Sequence, residues 1–192
     1  MLELPAMAAW RHLGAREGFE VVFLRREGEG YRLDGQSAAL EEGEAFGVRY
    51  AMTLDAGWVT RSAVVVGLSG SGAYEVRLEG DGNGAWQIDG EPAPQLDGLL
   101  DVDLEASACT NALPVKRLGL SVGEASAAPA AYVRASVPAV ERLEQHYRRL
   151  EDLEPERSRY DYDSPAFDFR AILTYDRFGL VLDYPGIAER VA

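Results

Sequence analysis

The sequence predicts an all-β protein with a single helix. Three observations carry that prediction: turn signals recur at short intervals, apolar and polar residues alternate between them, and one segment shows a helical stripe. Glu27-Gly28-Glu29-Gly30, Asp34-Gly35, Asp81-Gly82-Asn83-Gly84 and Asp89-Gly90 all offer the positive φ that tight hairpins need. The clearest alternating run sets Phe46, Val48, Tyr50, Met52 and Leu54 against Gly47, Arg49, Ala51 and Thr53. A second sets Phe167, Phe169, Ala171, Leu173 and Tyr175 against Asp168, Arg170, Ile172 and Thr174. Side chains alternate across a sheet, so each set is expected to face inward together.

In chain order, strands are expected at 18–26, 30–37, Phe46 to Leu54, 59–69, 73–80, 84–89, 99–105, 113–121, 130–136, Phe167 to Tyr175 and 178–184. Gly67 to Gly72 lacks the lysine of a phosphate loop and reads as a hairpin loop, and Ala125 to Ala131 reads as a loop. The two long runs match at Phe, Arg, Thr and Asp, which two amphipathic strands ending in an Asp turn explain without duplication. The helix is expected at 137–153. Ser136 would cap it, Pro138 would sit in its first turn, and Val140, Leu143, Tyr147 and Leu150 would line one side. No linker-like segment interrupts the chain, so one domain over 1–192 is expected.

Composition excludes more than it assigns. The 192 residues are 47% hydrophobic and 27% charged, as in ordinary globular proteins. With 32 acidic against 19 basic residues the net charge is −13, which argues against nucleic-acid partners. Cys109 is the one cysteine, so neither an internal disulfide nor a cysteine-rich metal site can form. Met1 to Pro5 lacks the basic start of a secretory signal, and the apolar stretch at Ala63 to Leu68 is far below the roughly 20 residues of a membrane span. A cytoplasmic protein without membrane insertion is expected.

The chemistry-bearing residues are sparse. His12 and His146 are the two histidines, and His146 reads first as a helix-boundary residue and Cys109 as a small buried hydrophobe. Asp101 with Asp103, and Asp161 with Asp163, would share a strand face and could bind a metal or raise one another's pKa. Serine-hydrolase, P-loop, zinc-protease and EF-hand spacings do not occur, and no cofactor is implied.

Several phrases together are more specific: Asp55-Ala56-Gly57-Trp58-Val59-Thr60-Arg61, Asp101-Val102-Asp103-Leu104, Thr110-Asn111-Ala112-Leu113-Pro114-Val115-Lys116-Arg117-Leu118, Tyr160-Asp161-Tyr162, and Asp176 through Gly186. In this order, from Trp10 to Val191, the chain resembles the bacterial putative glycolipid-binding family, formerly a domain of unknown function. It departs from the family at Leu100, where a cysteine is expected, and at Ala108-Cys109, where a proline-containing stretch is expected. The resemblance implies a spiral β-roll, a long antiparallel sheet curled around the helix at 137–153, assembled as a homodimer. By analogy with lipoprotein carriers and glycolipid binders, it implies an acyl chain held in an apolar cavity.

The expected function is therefore non-catalytic binding or carriage of a lipid or glycolipid, with the acyl chain inside and the polar head at the rim. The apolar lining would include Tyr50, Met52, Leu143, Tyr147, Phe167 and Phe169. Trp58, Arg61, Asn111 and Arg117 would hold a sugar or phosphate, since aromatic faces and guanidinium forks suit those groups. Alternatively these polar residues tie strands together, as Asp103 with Arg117 would. Two other readings stay open: an enzyme using the clustered carboxylates with His146, and a ligand-free structural dimer. In any reading, Arg61 or Arg117 should be partly buried against Asp55, Asp101, Asp103 or Asp176, because an unpaired buried charge is costly.

Overall fold

The computed structural model describes residues 4–14 and 16–192. The chain begins as a meander of β1 (Met7–His12), β2 (Arg16–Glu27), β3 (Gly30–Glu41), β4 (Glu44–Leu54), β5 (Thr60–Ser69), β6 (Gly72–Gly80), β7 (Trp86–Ile88) and β8 (Glu91–Pro92). A central stretch follows with β9 (Asp101–Leu104), helix α1 (Ala112–Leu118), β10 (Ala125–Ala127), β11 (Ala130–Val133) and β12 (Val140–Leu143). A second meander closes the chain with β13 (His146–Glu154), β14 (Arg157–Ser164), β15 (Phe169–Tyr175), β16 (Val181–Tyr184) and β17 (Ala188–Arg190).

Fourteen strands form one antiparallel sheet in the order β10-β13-β14-β15-β16-β17-β1-β2-β3-β4-β5-β6-β7-β8. The two meanders meet where the last strand pairs with the first, Trp10 opposite Arg190. A smaller sheet, β12-β11-β9, contains the parallel pair β9–β11. Every residue of β9 and β11 is buried, as parallel strands covered on both faces require.

Both long alternating runs are strands. In β4, Phe46, Val48, Tyr50, Met52 and Leu54 are all buried. In β15, Leu173 and Tyr175 are buried and Phe169 and Ala171 half-buried on the same side. Phe167 departs from this set, because Pro165–Phe167 form a 3-10 turn before β15 and leave its ring exposed.

The matching strand ends share a turn. Asp55 Oδ1 accepts the backbone N–H of Gly57 (2.9 Å) and Val59 (3.1 Å), and Asp176 Oδ1 accepts those of Phe178 (2.8 Å) and Leu180 (2.9 Å). Asp81 does the same for Asn83 and Ala85, so this is local aspartate chemistry used three times. The fourth residue of each turn is left-handed: Gly84, Gly179 and, against the usual preference, Trp58 at φ 66°. Trp58 is held there by stacking on Tyr31, ring centroids 4.4 Å apart, and by the Lys116 ammonium 4.4 Å from its own ring centre.

The expected helix at 137–153 is absent, and β12 and β13 occupy the segment. The inward positions there are Leu143, Gln145, Tyr147 and, half-buried, Arg149, alternating with exposed Glu144, His146 and Arg148. Polar Gln145 and Arg149 hid this period of two, and the helical spacing of Val140, Leu143, Tyr147 and Leu150 was fortuitous. The described helix is α1, where a strand over 113–121 was expected. Pro114 sits in its first turn, where no N–H is needed, and Gly119 closes it in the left-handed conformation. Asp34-Gly35 is no turn but the middle of β3, where a Cβ on Gly35 would fall 2.1 Å from the Tyr50 ring. Ala125 to Ala131, expected as a loop, contributes β10 and the start of β11.

One buried carboxylate fastens the central stretch to the large sheet. Glu20 on β2 accepts hydrogen bonds from Tyr50 Oη (2.6 Å), Ser107 Oγ, the backbone N–H of Ala108 (2.7 Å) and that of Cys109 (3.3 Å). Glu20→Gln can turn its amide toward the two hydroxyls, which can reverse to accept, and should cost about 1–2 kcal/mol. Glu20→Leu strands the Ala108 and Cys109 N–H groups and leaves the Tyr50 and Ser107 hydroxyls, 3.2 Å apart, only each other, and should cost about 3–5 kcal/mol. Urea denaturation of the two variants checks this; a leucine variant as stable as the glutamine variant would contradict it.

Candidate functional site

The buried ends of β9 and of the segment entering α1 build a polar network. Thr110 Oγ1 donates to Asp103 Oδ1 (2.7 Å), and Gln145 Nε2 donates to Asp103 Oδ2 (2.9 Å). The Tyr147 hydroxyl lies 3.2 Å from Gln145 Oε1 and 2.9 Å from Asn111 Oδ1. Asp101, two residues from Asp103, is held by the fork of Arg117, Nε to Oδ1 at 3.0 Å and Nη2 to Oδ2 at 2.6 Å. The Asp101 side chain is 2% and that of Arg117 15% exposed, so the expected buried arginine pair is present. Its partner is Asp101 rather than Asp103.

A cavity of about 350 Å³ lies between the small sheet and the large one. Asp103, Leu104, Tyr132 and Leu143 line it from the small sheet, and Ser107, Ala108 and Asn111 from the segment that Glu20 anchors. The large sheet contributes His12, Tyr162, Ser164, Phe169, Tyr184 and Ala188. Arg16, Glu41, Phe167 and Ile187 line it as well, with Leu13, Glu105, Ala106 and Gly186 completing the wall. Tyr162, Phe169 and Tyr184 pack edge-to-face or tilted, with ring centroids 5.8–6.2 Å apart.

Burial sets the charge of the lining. It raises Asp103 to about 6, with nearby Asp101 adding and the Thr110 and Gln145 hydrogen bonds opposing. Burial, with Arg16 close by, lowers His12 to about 4, so its imidazole is neutral at pH 7, and its Nδ1 has no hydrogen-bond partner. Arg16 donates to Glu41 Oε2 (3.0 and 2.7 Å) and to the carbonyl of Glu105. A shallower hollow of about 670 Å³ crosses the outer face of β2–β5, where exposed Phe19 and Phe23 stand beside the Arg32–Asp34 pair. It lacks the buried, converging polar groups of the inner cavity.

Of the residues singled out from sequence, Asn111, Leu143, Phe167 and Phe169 line the cavity. Tyr147 stands behind Asn111, and Tyr50 and Met52 are packed core. Trp58, Arg61 and Arg117 lie outside the lining: Trp58 in its turn, Arg61 exposed 3.7 Å from Asp55, and Arg117 on Asp101. The Asp161 and Asp163 pair does meet His146, in an exposed hollow on the other face of the sheet, while Asp101 and Asp103 lie elsewhere. The imidazole is 3.6 Å from Asp163, but Asp161 pairs with Arg170, which holds its carboxyl below the usual range rather than above it. Among the described residues no group of three or more His, Cys, Asp or Glu side chains is placed to hold a metal. Sequence reasoning missed His12, Tyr162 and Tyr184 as lining; the alternation of Ala8, Trp10 and His12 in β1 was the available signal for the first.

A family model described as putative glycolipid-binding matches residues 7–190. The crystal structure of a DUF1089 family protein from Pseudomonas aeruginosa is similar over 100% of this chain and 98% of its own, at 32% identity and a TM-score of 0.78. A β-barrel-like protein of the DUF1849 domain from Brucella abortus shares the fold at 11% identity and a TM-score of 0.51, over 97% and 94% of the two chains. A search of curated proteins finds no match. No described helix is long and apolar enough to cross a membrane.

The two buried titrating groups of the cavity act on stability with opposite signs. Asp103, raised above the roughly 3.8 of an unfolded chain, stabilises the fold fully below about pH 4, and this contribution is lost as pH rises through 6. At 1.36 kcal/mol per pH unit the loss is about 3 kcal/mol at most. His12, lowered from 6.5 to about 4, contributes fully above pH 6.5 and loses that contribution as pH falls toward 4. Asp103→Asn removes the first slope, so its stability relative to wild type should improve from pH 4 to 7 in urea titrations. A pH-independent difference would contradict the assignment.

Proposed function

The chain belongs to the putative glycolipid-binding family, and from that premise we propose that it is a non-catalytic binding or carrier protein for a lipid or glycolipid amphiphile held in the cavity between its two sheets. The observation that carries this reading is the cavity itself. Its about 350 Å³ falls at the lower end of the range for small-molecule sites, and its lining joins alkyl and aromatic walls to a few fixed polar groups. Residues 1–192 act as one binding domain, with the large sheet as a roll around the small one and α1. We place the protein in the cytoplasm.

The homodimer implied by family resemblance is assigned to the outer face of β2. Phe19, Val21 and Phe23 are 57%, 36% and 56% exposed there, beside Val64 and Val66 of β5. Apolar area gathered on one exposed face is the usual mark of an interface. Phe19→Ser with Phe23→Ser should convert a dimer into a monomer in light scattering after size exclusion; a wild-type monomer would remove the dimer from the proposal.

Binding is tested by titrating the protein with single-chain amphiphiles, a fluorescent glycolipid and a fluorescent fatty acid among them. At least one should bind saturably near micromolar affinity, about −8 kcal/mol. Leu143→Trp, which fills the cavity from β12, should weaken that binding at least tenfold while the fold persists. No saturable binding, or binding indifferent to the tryptophan, would overturn the proposal.

A further inference from the structure

The cavity carries hydrogen-bonding groups where a pocket for an acyl chain would be bare. His12, Asn111 and Tyr162 are 5%, 4% and 3% exposed, and Asp103 8%, sharing the buried part of the lining with Leu104, Leu143 and Ala188. The large apolar groups that reach solvent are Phe167 and Ile187, 47% and 38% exposed. A chain threaded to the inner end would strip water from Asp103 and His12 and offer them no hydrogen bond in return.

Charge narrows the class of group that can sit there. Arg16 is the one permanent cation among the described lining residues, and Glu41 and the Glu105 carbonyl already hold its guanidinium. The Glu105 carboxylate is engaged by Arg134 and the backbone N–H of Ala135. Asp103 is hydrogen-bonded by neutral groups, Thr110 and Gln145. A carboxylate or phosphate placed against it would meet like charge in a buried setting without a cation to spare.

Resting on the binding reading above, we infer that the amphiphile enters head first: an uncharged, hydroxyl-rich group such as a sugar or polyol lies against Asp103 and His12, and the chain leaves past Phe167 and Ile187. The Asp103 carboxylate accepts from Thr110, Gln145 and the Leu104 N–H and, with about four lone-pair sites, keeps one for a ligand hydroxyl. The neutral imidazole of His12 can accept at one nitrogen and donate at the other. Rings of Tyr162, Phe169 and Tyr184 offer faces to the C–H side of a sugar.

The test holds the chain constant and changes the head. Octyl glucoside, octanoate and octyl phosphate are titrated into the wild-type protein below their micelle concentrations. The glucoside should bind at least about tenfold more tightly than either anion. Asp103→Asn, checked for folding by circular dichroism, should narrow that gap. Anions binding as tightly as the glucoside would overturn the head-first orientation while leaving the binding function intact. A gap unchanged in Asp103→Asn would overturn the role of Asp103. If none of the three binds, this inference falls, and if the longer amphiphiles also fail, the binding function falls with it.

Discussion

A single carboxylate, Glu20, holds together the parts of this protein that matter most. Removing a carboxylate from water costs several kcal/mol. Burial still pushes the Glu20 carboxyl above the usual range, although four donors converge on it and offset part of that cost. Two of them are backbone groups at Ala108 and Cys109, at the start of the 3-10 turn that runs into α1. Fixing that point fixes Thr110, Asn111 and the helix behind them. The cavity wall formed by Ser107, Ala108 and Asn111 therefore depends on a side chain from the opposite sheet.

Other polar anchors repeat this arrangement from the far side. Arg117, in the last turn of α1, grips Asp101 of β9, while Asp103 takes Thr110 on one oxygen and Gln145 of the β12–β13 connection on the other. Lys116, the single lysine of the chain, lies between two of the aspartate turns, its ammonium over the Trp58 ring and donating to the Phe178 carbonyl at 2.5 Å. The central stretch thus adds these directional pins to its apolar packing, in which Leu96, Leu99, Val102, Leu104, Leu113 and Val133 are buried in the main core. Such pins specify one placement, where apolar packing alone would tolerate several.

The strands were legible where one face is apolar and the other is not, as in β4 and β15. They were obscure where buried polar groups stand inward. Gln145 and Arg149 broke the alternation of β13 and let an accidental helical spacing stand out. In β2 the more apolar set, Phe19, Val21 and Phe23, faces outward and Glu20 inward, an inversion that no local pattern announces. The true helix was short, and its signals were a proline in the first turn and a closing glycine rather than an apolar stripe. For the cavity, Asn111, Leu143, Phe167 and Phe169 were within reach of sequence reasoning. His12 and Asp103 were visible as residues, but pairing between strands distant in the chain brings them to one place.

Glu20, the Asp103 network and the exposed rim at Phe167 and Ile187 together describe a site where buried hydrogen-bonding groups share the inner wall with Leu104 and Leu143, and large apolar groups mark the entrance. The claim that this space between the two sheets is where the protein meets its ligand is tested most directly by a crystal structure of the protein grown with an alkyl glucoside. The account predicts the sugar ring within hydrogen-bond distance of Asp103 and the alkyl chain running past Phe167. Ligand bound on the outer face of β2–β5, with the inner cavity closed by side chains, would contradict it.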